Sequence, residues 1–145
     1  MAYEFHYQRK IYWQDTDMAG IIHFANYFRY MEEVEIEFLN SLGLDTLKIA
    51  HKHNVWRPRV SAQCDFKKTV SFGDELDIHI WVVKKGRSSL HYEIAFNHDG
   101  EEVAHGRLSV ACVSKTADGN LEATPIPPIM DEALEVAPFA VGENE

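Results

Sequence analysis

Trp13-Gln14-Asp15-Thr16-Asp17-Met18-Ala19-Gly20-Ile21-Ile22-His23-Phe24-Ala25-Asn26-Tyr27 is where the patterning of this chain changes period. Before it, residues 5–14 alternate, with Phe5, Tyr7, Ile11 and Trp13 apolar and Arg9 between them, which predicts a first strand. After it, Tyr27, Tyr30, Met31, Val34, Phe38 and Leu42 recur at helical spacing, with Glu32, Glu33, Glu35 and Glu37 assigned mostly to the other side. Gly43 stands where a left-handed C′ residue ends a helix. Asn26 is a candidate N-cap, and the first turn could equally begin near His23. The quoted segment is therefore a turn between a strand and a long helix. Two carboxylates, Asp15 and Asp17, lie in it, just ahead of a helix start whose unpaired N–H groups favour anions. An acid or nucleophile at Asp17 and a site for a developing oxyanion thus arise from one turn, and Gly20 lets the backbone approach a ligand without a Cβ.

Working outward, residues 44–54 read as a short irregular or helical connection. Residues 60–70, 76–84, 90–96 and 103–113 have β character, with Ile78, Ile80 and Val82 and then Leu90, Tyr92, Ile94 and Phe96 as alternating sets. Gly73, Gly86, Gly100 and Gly119 mark the joints. The predicted order is one strand, one long helix and four strands in an antiparallel meander, an α+β two-layer domain with a five-stranded sheet. The domain is expected over residues 1–130. Residues 124–128, rich in proline, would extend an edge, and residues 131–145 would form an acidic, frayed tail. One helix covers one sheet face and leaves edges open, so pairing with a second copy is expected, through an edge or across the helix layer.

With 145 residues, 46% hydrophobic and 26% charged, the chain supports one core and no second ordinary domain. No apolar run approaches the ~20 residues that span a bilayer, and the start lacks a signal-peptide layout, which points to the cytoplasm. A net charge of −9 argues against nucleic acid or an anionic membrane as partner. Cys64 and Cys112 are read as small hydrophobes rather than a disulfide. His51 and His53 share a face if extended, but the sequence places no third ligand with them, so no metal is assigned.

Asp15-Thr16-Asp17-Met18-Ala19-Gly20-Ile21-Ile22, then Asn26-Tyr27, an acidic amphipathic helix, and Phe72-Gly73-Asp74-Glu75-Leu76 opening a strand, resemble the hot-dog-fold acyl-CoA thioesterases of the 4-hydroxybenzoyl-CoA thioesterase family. The resemblance covers most of the chain. It implies a sheet wrapped around the helix, a homodimer or homotetramer with active sites at the subunit interface, an acyl-CoA substrate and no cofactor. By the same resemblance Asp17 matches the catalytic carboxylate, with Asp15 as its structural support, and the backbone N–H near Phe24 matches the group that polarises the thioester carbonyl. Gly20, Asn26 and Tyr27 fall in the substrate-contacting stretch. Many bacterial relatives carry a His where Phe24 stands, and here the His is one residue earlier, at His23. An aromatic residue at Phe24 and an acid at Glu32, near the place of a substrate phenol, resemble the hydroxybenzoyl branch.

Thioester hydrolysis requires a nucleophile or an activated water, a donor for the carbonyl oxygen, and a grip on coenzyme A. A carboxylate serves either as nucleophile, through a mixed anhydride, or as general base. A single oxyanion donor is commonly worth ~10²–10³ in rate. His23 could orient the thioester or a water. Lys84, Lys85, Arg87, Ser88 and Ser89, three cations and two hydroxyls at a strand junction, form a candidate phosphate clamp, and the resemblance puts nucleotide contacts near them. Arg57 and Arg59 are a second candidate, at a pocket mouth or a dimer seam. Two rival readings stay open: an acyl-thioester hydratase or dehydratase using His23 with Glu32 or Glu33, and a non-catalytic module that binds acyl thioesters.

Overall fold

The computed structural model describes residues 1–140. The strand β1 (Glu4–Lys10) is followed by a 3-10 turn at Trp13–Asp15, the helix α1 (Ala25–Ser41) and the short helix α2 (Thr46–His53). Then come the strands β2 (Arg59–Phe66), β3 (Glu75–Lys85), β4 (Ser89–His98) and β5 (Glu101–Ala111). A small hairpin, β6 (Val113–Lys115) and β7 (Leu121–Ala123), and the helix α3 (Pro128–Ala133) close the chain. Five strands form one antiparallel sheet that α1 packs against, the hot-dog arrangement.

The helical stripe is the centre of the core. Tyr27, Tyr30, Met31, Val34 and Phe38 are all buried, together with Leu39, each contributing ~1.5–3 kcal/mol of burial. Gly43, with φ +74°, ends the helix as the left-handed C′ residue. Facing the stripe are Leu76, Ile78, Ile80 and Val82 of β3, Leu90, Tyr92, Ile94 and Phe96 of β4, and Leu108 and Val110 of β5. At Gly106 α1 lies close on the sheet: a Cβ there would stand 2.5 Å from Met31 Sδ.

Three expectations are corrected. The sheet order is β1-β3-β4-β5-β2, so the meander holds for β3, β4 and β5, while β2 pairs with β5 at the far edge. The segment between β2 and β3 is not a hairpin turn. Its Val70 is buried, and the Val70 carbonyl accepts the Ile22 N–H at 2.9 Å, so the chain crosses from the β2 edge to β3, next to the opposite edge strand β1, past the helix start. Glu35, expected among the solvated acids, is fully buried, because it lies one helical turn beyond Met31 and one before Leu39, inside the stripe.

The break expected near residue 130 is the third. Ala2 bridges to Leu134, the Ala137 N–H donates to the Val82 carbonyl at 2.8 Å, and Ala137 and Ala140 are buried. These residues cover Trp81, which points away from α1 and would otherwise be exposed; Phe139 meets its ring edge-on at 5.7 Å. Residues 141–145 of the expected tail lie outside the described residues. Cys64 and Cys112 are free thiols, the second fully buried. Among the described residues no helix is long and apolar enough to cross a membrane.

Candidate active site

The turn that carries Asp17 is built by Asp15. Asp15 is buried, and its Oδ2 accepts the Tyr12 N–H at 2.9 Å and an Arg9 guanidinium N–H at 3.2 Å. Its main-chain oxygen accepts the His23 N–H at 2.9 Å and the Asn26 side-chain amide at 2.7 Å. One residue thereby ties the end of β1 to the start of α1. Asn26, a candidate N-cap from sequence, lies inside the helix, buried, and serves this latch; the cap position is Phe24. Arg9 is in turn fixed by Glu33 at 3.0 Å, with its guanidinium 4.7 Å from the Tyr30 ring centroid. Burial, with Asp15 adding to it, holds the Tyr30 phenol well above its ordinary range, so it stays neutral.

Asp17 is left outside this network. It is exposed, its N–H donates to Ile21 O at 2.9 Å, and its Oδ1 accepts the Ala19 N–H at 2.8 Å. Among the described residues Oδ2 has no protein partner and no cation pairs with the carboxylate. Gly20, at φ +78°, closes the turn with its N–H on the Asp17 carbonyl at 3.0 Å, a conformation that an L side chain strains. The returning chain bridges Thr16 to Ile22 and Ile21 to Ser71, which ties the turn to the residues just ahead of α1.

Those residues offer a donor. Phe24 is half exposed, and among the described residues its backbone N–H finds no acceptor. This free N–H points from the positive end of a 17-residue helix. His23 is exposed, stacks on Phe24 at 5.0 Å, and places Nδ1 3.3 Å from the Ala25 N–H. It therefore serves the first turn as an acceptor. Neither Glu32 nor Glu33 contacts it: Glu33 is taken by Tyr7 OH and Arg9, both at 3.0 Å, and Glu32 is exposed.

An aromatic lining surrounds the turn. Phe66 meets Phe24 edge-on at 6.1 Å and Tyr27 at 5.4 Å, and Tyr27 meets Phe96 at 4.9 Å. Burial pushes the Tyr27 phenol up to about 12, so it remains protonated. Trp13, 72% exposed, stacks on Phe72 at 4.3 Å. Sequence reasoning gave Trp13 to the first strand and Phe72 to a strand-opening motif, and it did not single out Phe66. The local signal for Phe66 is a large ring at a strand end.

The two basic candidates lie elsewhere. Arg57 is buried, with NH1 3.5 Å from Glu35 Oε2 and NH2 2.7 Å from Thr46 Oγ1. Arg59 bonds Glu35 Oε1. Both neutralise a buried carboxylate. Lys85 is likewise engaged, donating to the Leu134 carbonyl at 2.7 Å and to Asp131 at 3.0 Å. Ser89 Oγ lies 3.2 Å from His91 Nε2. Lys84 lines a concavity of about 360 Å³ with His91, Arg107 and Ser109, while Arg87 is exposed and Ser88 is partly buried. Within one chain this group is not beside Asp17. The Asp17 turn bridges through Ile21 to Ser71, just ahead of β3, and the basic group lies at the far end of that strand, whose 11 residues span roughly 33 Å.

Comparison with known proteins agrees with this fold. The model of the thioesterase-like superfamily matches residues 11–134. The 1,4-dihydroxy-2-naphthoyl-CoA hydrolase of Thermosynechococcus vestitus is 29% identical over 141 residues, covering 96% of this chain and 94% of that protein. The solved structure of a gentisyl-coenzyme A thioesterase superposes with a TM-score of 0.77 at 28% identity, covering 87% of this chain and 98% of that one. The 4-hydroxybenzoyl-CoA thioesterase of Pseudomonas sp. strain CBS-3 shares the fold, with a TM-score of 0.83 at 22% identity over 91% of this chain and 99% of that one.

Proposed function

The chain belongs to the thioesterase-like superfamily and is a thioester hydrolase, and from that premise we propose that it cleaves an aromatic acyl-CoA with Asp17 as its reacting carboxylate. The observation that carries this reading is the exposed Asp17 carboxylate, without a cation among the described residues, in a turn that the Asp15 latch ties to the start of α1, where the Phe24 N–H is free. In the reaction either Asp17 attacks the thioester carbonyl, giving an anhydride that water opens, or it removes a proton from an attacking water. The carbonyl oxygen gains negative charge and is met by the Phe24 N–H and the helix dipole. The carbon–sulfur bond then breaks and coenzyme A leaves as a thiolate, a leaving group that needs little protonation, so no acid is required of His23.

The acyl group is assigned from the lining and from the relatives. Phe24, Phe66 and Tyr27 offer ring faces and edges at 5–6 Å spacings suited to a flat aromatic ring. Three relatives are named for hydroxylated aromatic acyl-CoAs. A panel of aromatic, short-chain and long-chain acyl-CoAs, read by release of free thiol, tests this. Hydroxybenzoyl- or dihydroxynaphthoyl-CoA is expected to give the highest kcat/KM; preference for a long aliphatic chain would overturn the aromatic assignment.

The site is proposed to be completed by a second copy. β2 is an edge strand with nearly every residue exposed, Val60 63% and Phe66 50% among them, and such an edge invites pairing. Antiparallel pairing of β2 with its own copy, the two-fold solution, sets the Arg59 end of one strand beside the Phe66 end of the other. That brings a basic end to an aromatic pocket, the juxtaposition that one chain lacks. Sedimentation at micromolar concentration is expected to show a dimer or tetramer; a monomer would remove this part of the proposal. The hydratase alternative gains no support, since His23 and the helix glutamates are not in contact.

A further inference from the structure

β1 and β3 pair so that His6 stands directly opposite His79. Phe5 stacks on Phe38 of α1 at 6.0 Å and Tyr7 reaches Glu33, so the alternate residues Glu4 and His6 project from the sheet face away from α1. The imidazoles of His6 and His79 lie nearly parallel, 4.1 Å between centroids and 7° between planes. Glu4 Oε1 is 2.8 Å from His79 Nε2, and Asp77 Oδ1 is 3.2 Å from His6 Nδ1. One ligand atom each from Glu4, His6 and His79 falls within 4.8 Å of the others, the one such three-residue group among the described residues. None of these side chains belongs to the turn that carries Asp17.

We propose that this outer face of the β1–β3 pair binds a divalent first-row transition metal of the zinc type through His6, His79 and Glu4. Two imidazole nitrogens and one carboxylate oxygen are the donor set that zinc takes in three-ligand sites, with water completing a tetrahedron. Imidazole donors also select against magnesium and calcium, which prefer all-oxygen shells. Metal–ligand bonds of ~2.0–2.2 Å require the donor atoms to draw in to roughly 3.5 Å of one another. The side chains are free to do this: they are 53%, 20% and 34% exposed for His6, His79 and Glu4. The ion enters between Glu4 and His79, replacing their hydrogen bond with two metal bonds, and the stacked rings tilt to converge on it. Asp77, itself held by Gln8 at 3.0 Å, stays against His6 as the carboxylate that orients a metal-bound imidazole.

Calorimetric titration of the tag-free full chain with zinc chloride tests the site, followed by cobalt(II) substitution read in the visible spectrum. Saturable binding of one ion per chain is expected, with cobalt bands of a four-coordinate nitrogen and oxygen site. His79→Ala is expected to weaken binding by at least about tenfold, since even partners outside the ligand shell commonly cost 10–100-fold. Glu4→Gln should weaken it less. His51→Ala serves as the control and leaves it unchanged. If circular dichroism shows His79→Ala misfolded, the more exposed His6→Ala carries the comparison. Absence of saturable binding, or equal affinity in the folded His79→Ala or His6→Ala protein, would overturn the proposal.

Discussion

Asp17→Asn is expected to lower kcat for acyl-CoA hydrolysis by roughly 10²–10⁴-fold, the usual contribution of a positioned acid–base group, with KM nearly unchanged. The substitution is well suited to the question because of what Asp17 does in the turn. Only Oδ1 is used structurally, as acceptor for the Ala19 N–H at 2.8 Å, and an Asn side-chain oxygen accepts the same bond. The remaining turn contacts are main-chain: Asp17 N–H to Ile21 O and Gly20 N–H to Asp17 O. The fold is therefore expected to survive, and the change removes a negative charge and a lone pair at Oδ2. A loss confined to kcat identifies an interaction made in the transition state. Hydrolysis at the wild-type rate, in a protein whose melting is unaltered, would take Asp17 out of the chemistry. Asp15→Asn is a different experiment. It weakens the Arg9 contact and disturbs the latch, so it is expected to act on stability and activity together.

Glu35→Ala should be the most destabilising single change among the charged residues, by about 3–5 kcal/mol. Glu35 is fully buried on α1, and its two oxygens meet Arg57, itself buried, and Arg59. Arg57 also bonds Thr46 at 2.7 Å, joining α1, α2 and the approach to β2 in one network. Removing the carboxylate leaves a buried guanidinium without its counter-charge, and it is this stranded charge that dominates the loss. It also alters Tyr92, whose phenol is held neutral by burial and by the negative charge of Glu35. Urea denaturation reads the effect: with slopes of ~1–3 kcal/mol per molar, the midpoint should fall by on the order of 2 M. Replacing Glu35 and Arg57 together by Met should cost less than Glu35→Ala alone, because no unpaired charge is left inside. A double variant as unstable as the sum of the singles would show that the two residues act independently.

How much of this was legible in the sequence depends on how local the cause is. α1 and its end at Gly43 follow from spacing within one helix, and the strand segments follow from alternation. The position of β2 does not, because pairing with β5 rather than β3 is decided by a crossing segment whose anchor, Val70, touches the chain near Ile22. Glu35 was misassigned although its place between Met31 and Leu39 marks the inner face; a run of four glutamates hid the phase. The two arginines that pair with it, Arg57 and Arg59, stand 22–24 residues away, too far for spacing to show the pairing. Trp81 gave a warning of the same kind, an outward-facing indole in a strand, answered by residues 137–140.

At the site, residue spacing alone left Asp15 and Asp17 equivalent, and the thioesterase resemblance separated them. The structure supplies the physical distinction, one aspartate buried and bonded by two elements, the other exposed. The phosphate clamp expected at residues 84–89 shows the opposite case. The residues have the chemistry of a clamp, and within one chain β3 sets them at the opposite end from the turn that carries Asp17, a separation that spacing in the sequence does not show.

Phe66 closes one further loop of cause and effect. It is the last residue of the edge strand β2 and also packs against Phe24 and Tyr27 at the start of α1. On the proposed pairing of β2 edges and the proposed aromatic site, both events meet at this one ring. Linked equilibria are reciprocal, so by whatever factor an aromatic ligand changes the association of β2 edges, association changes the affinity for that ligand by the same factor.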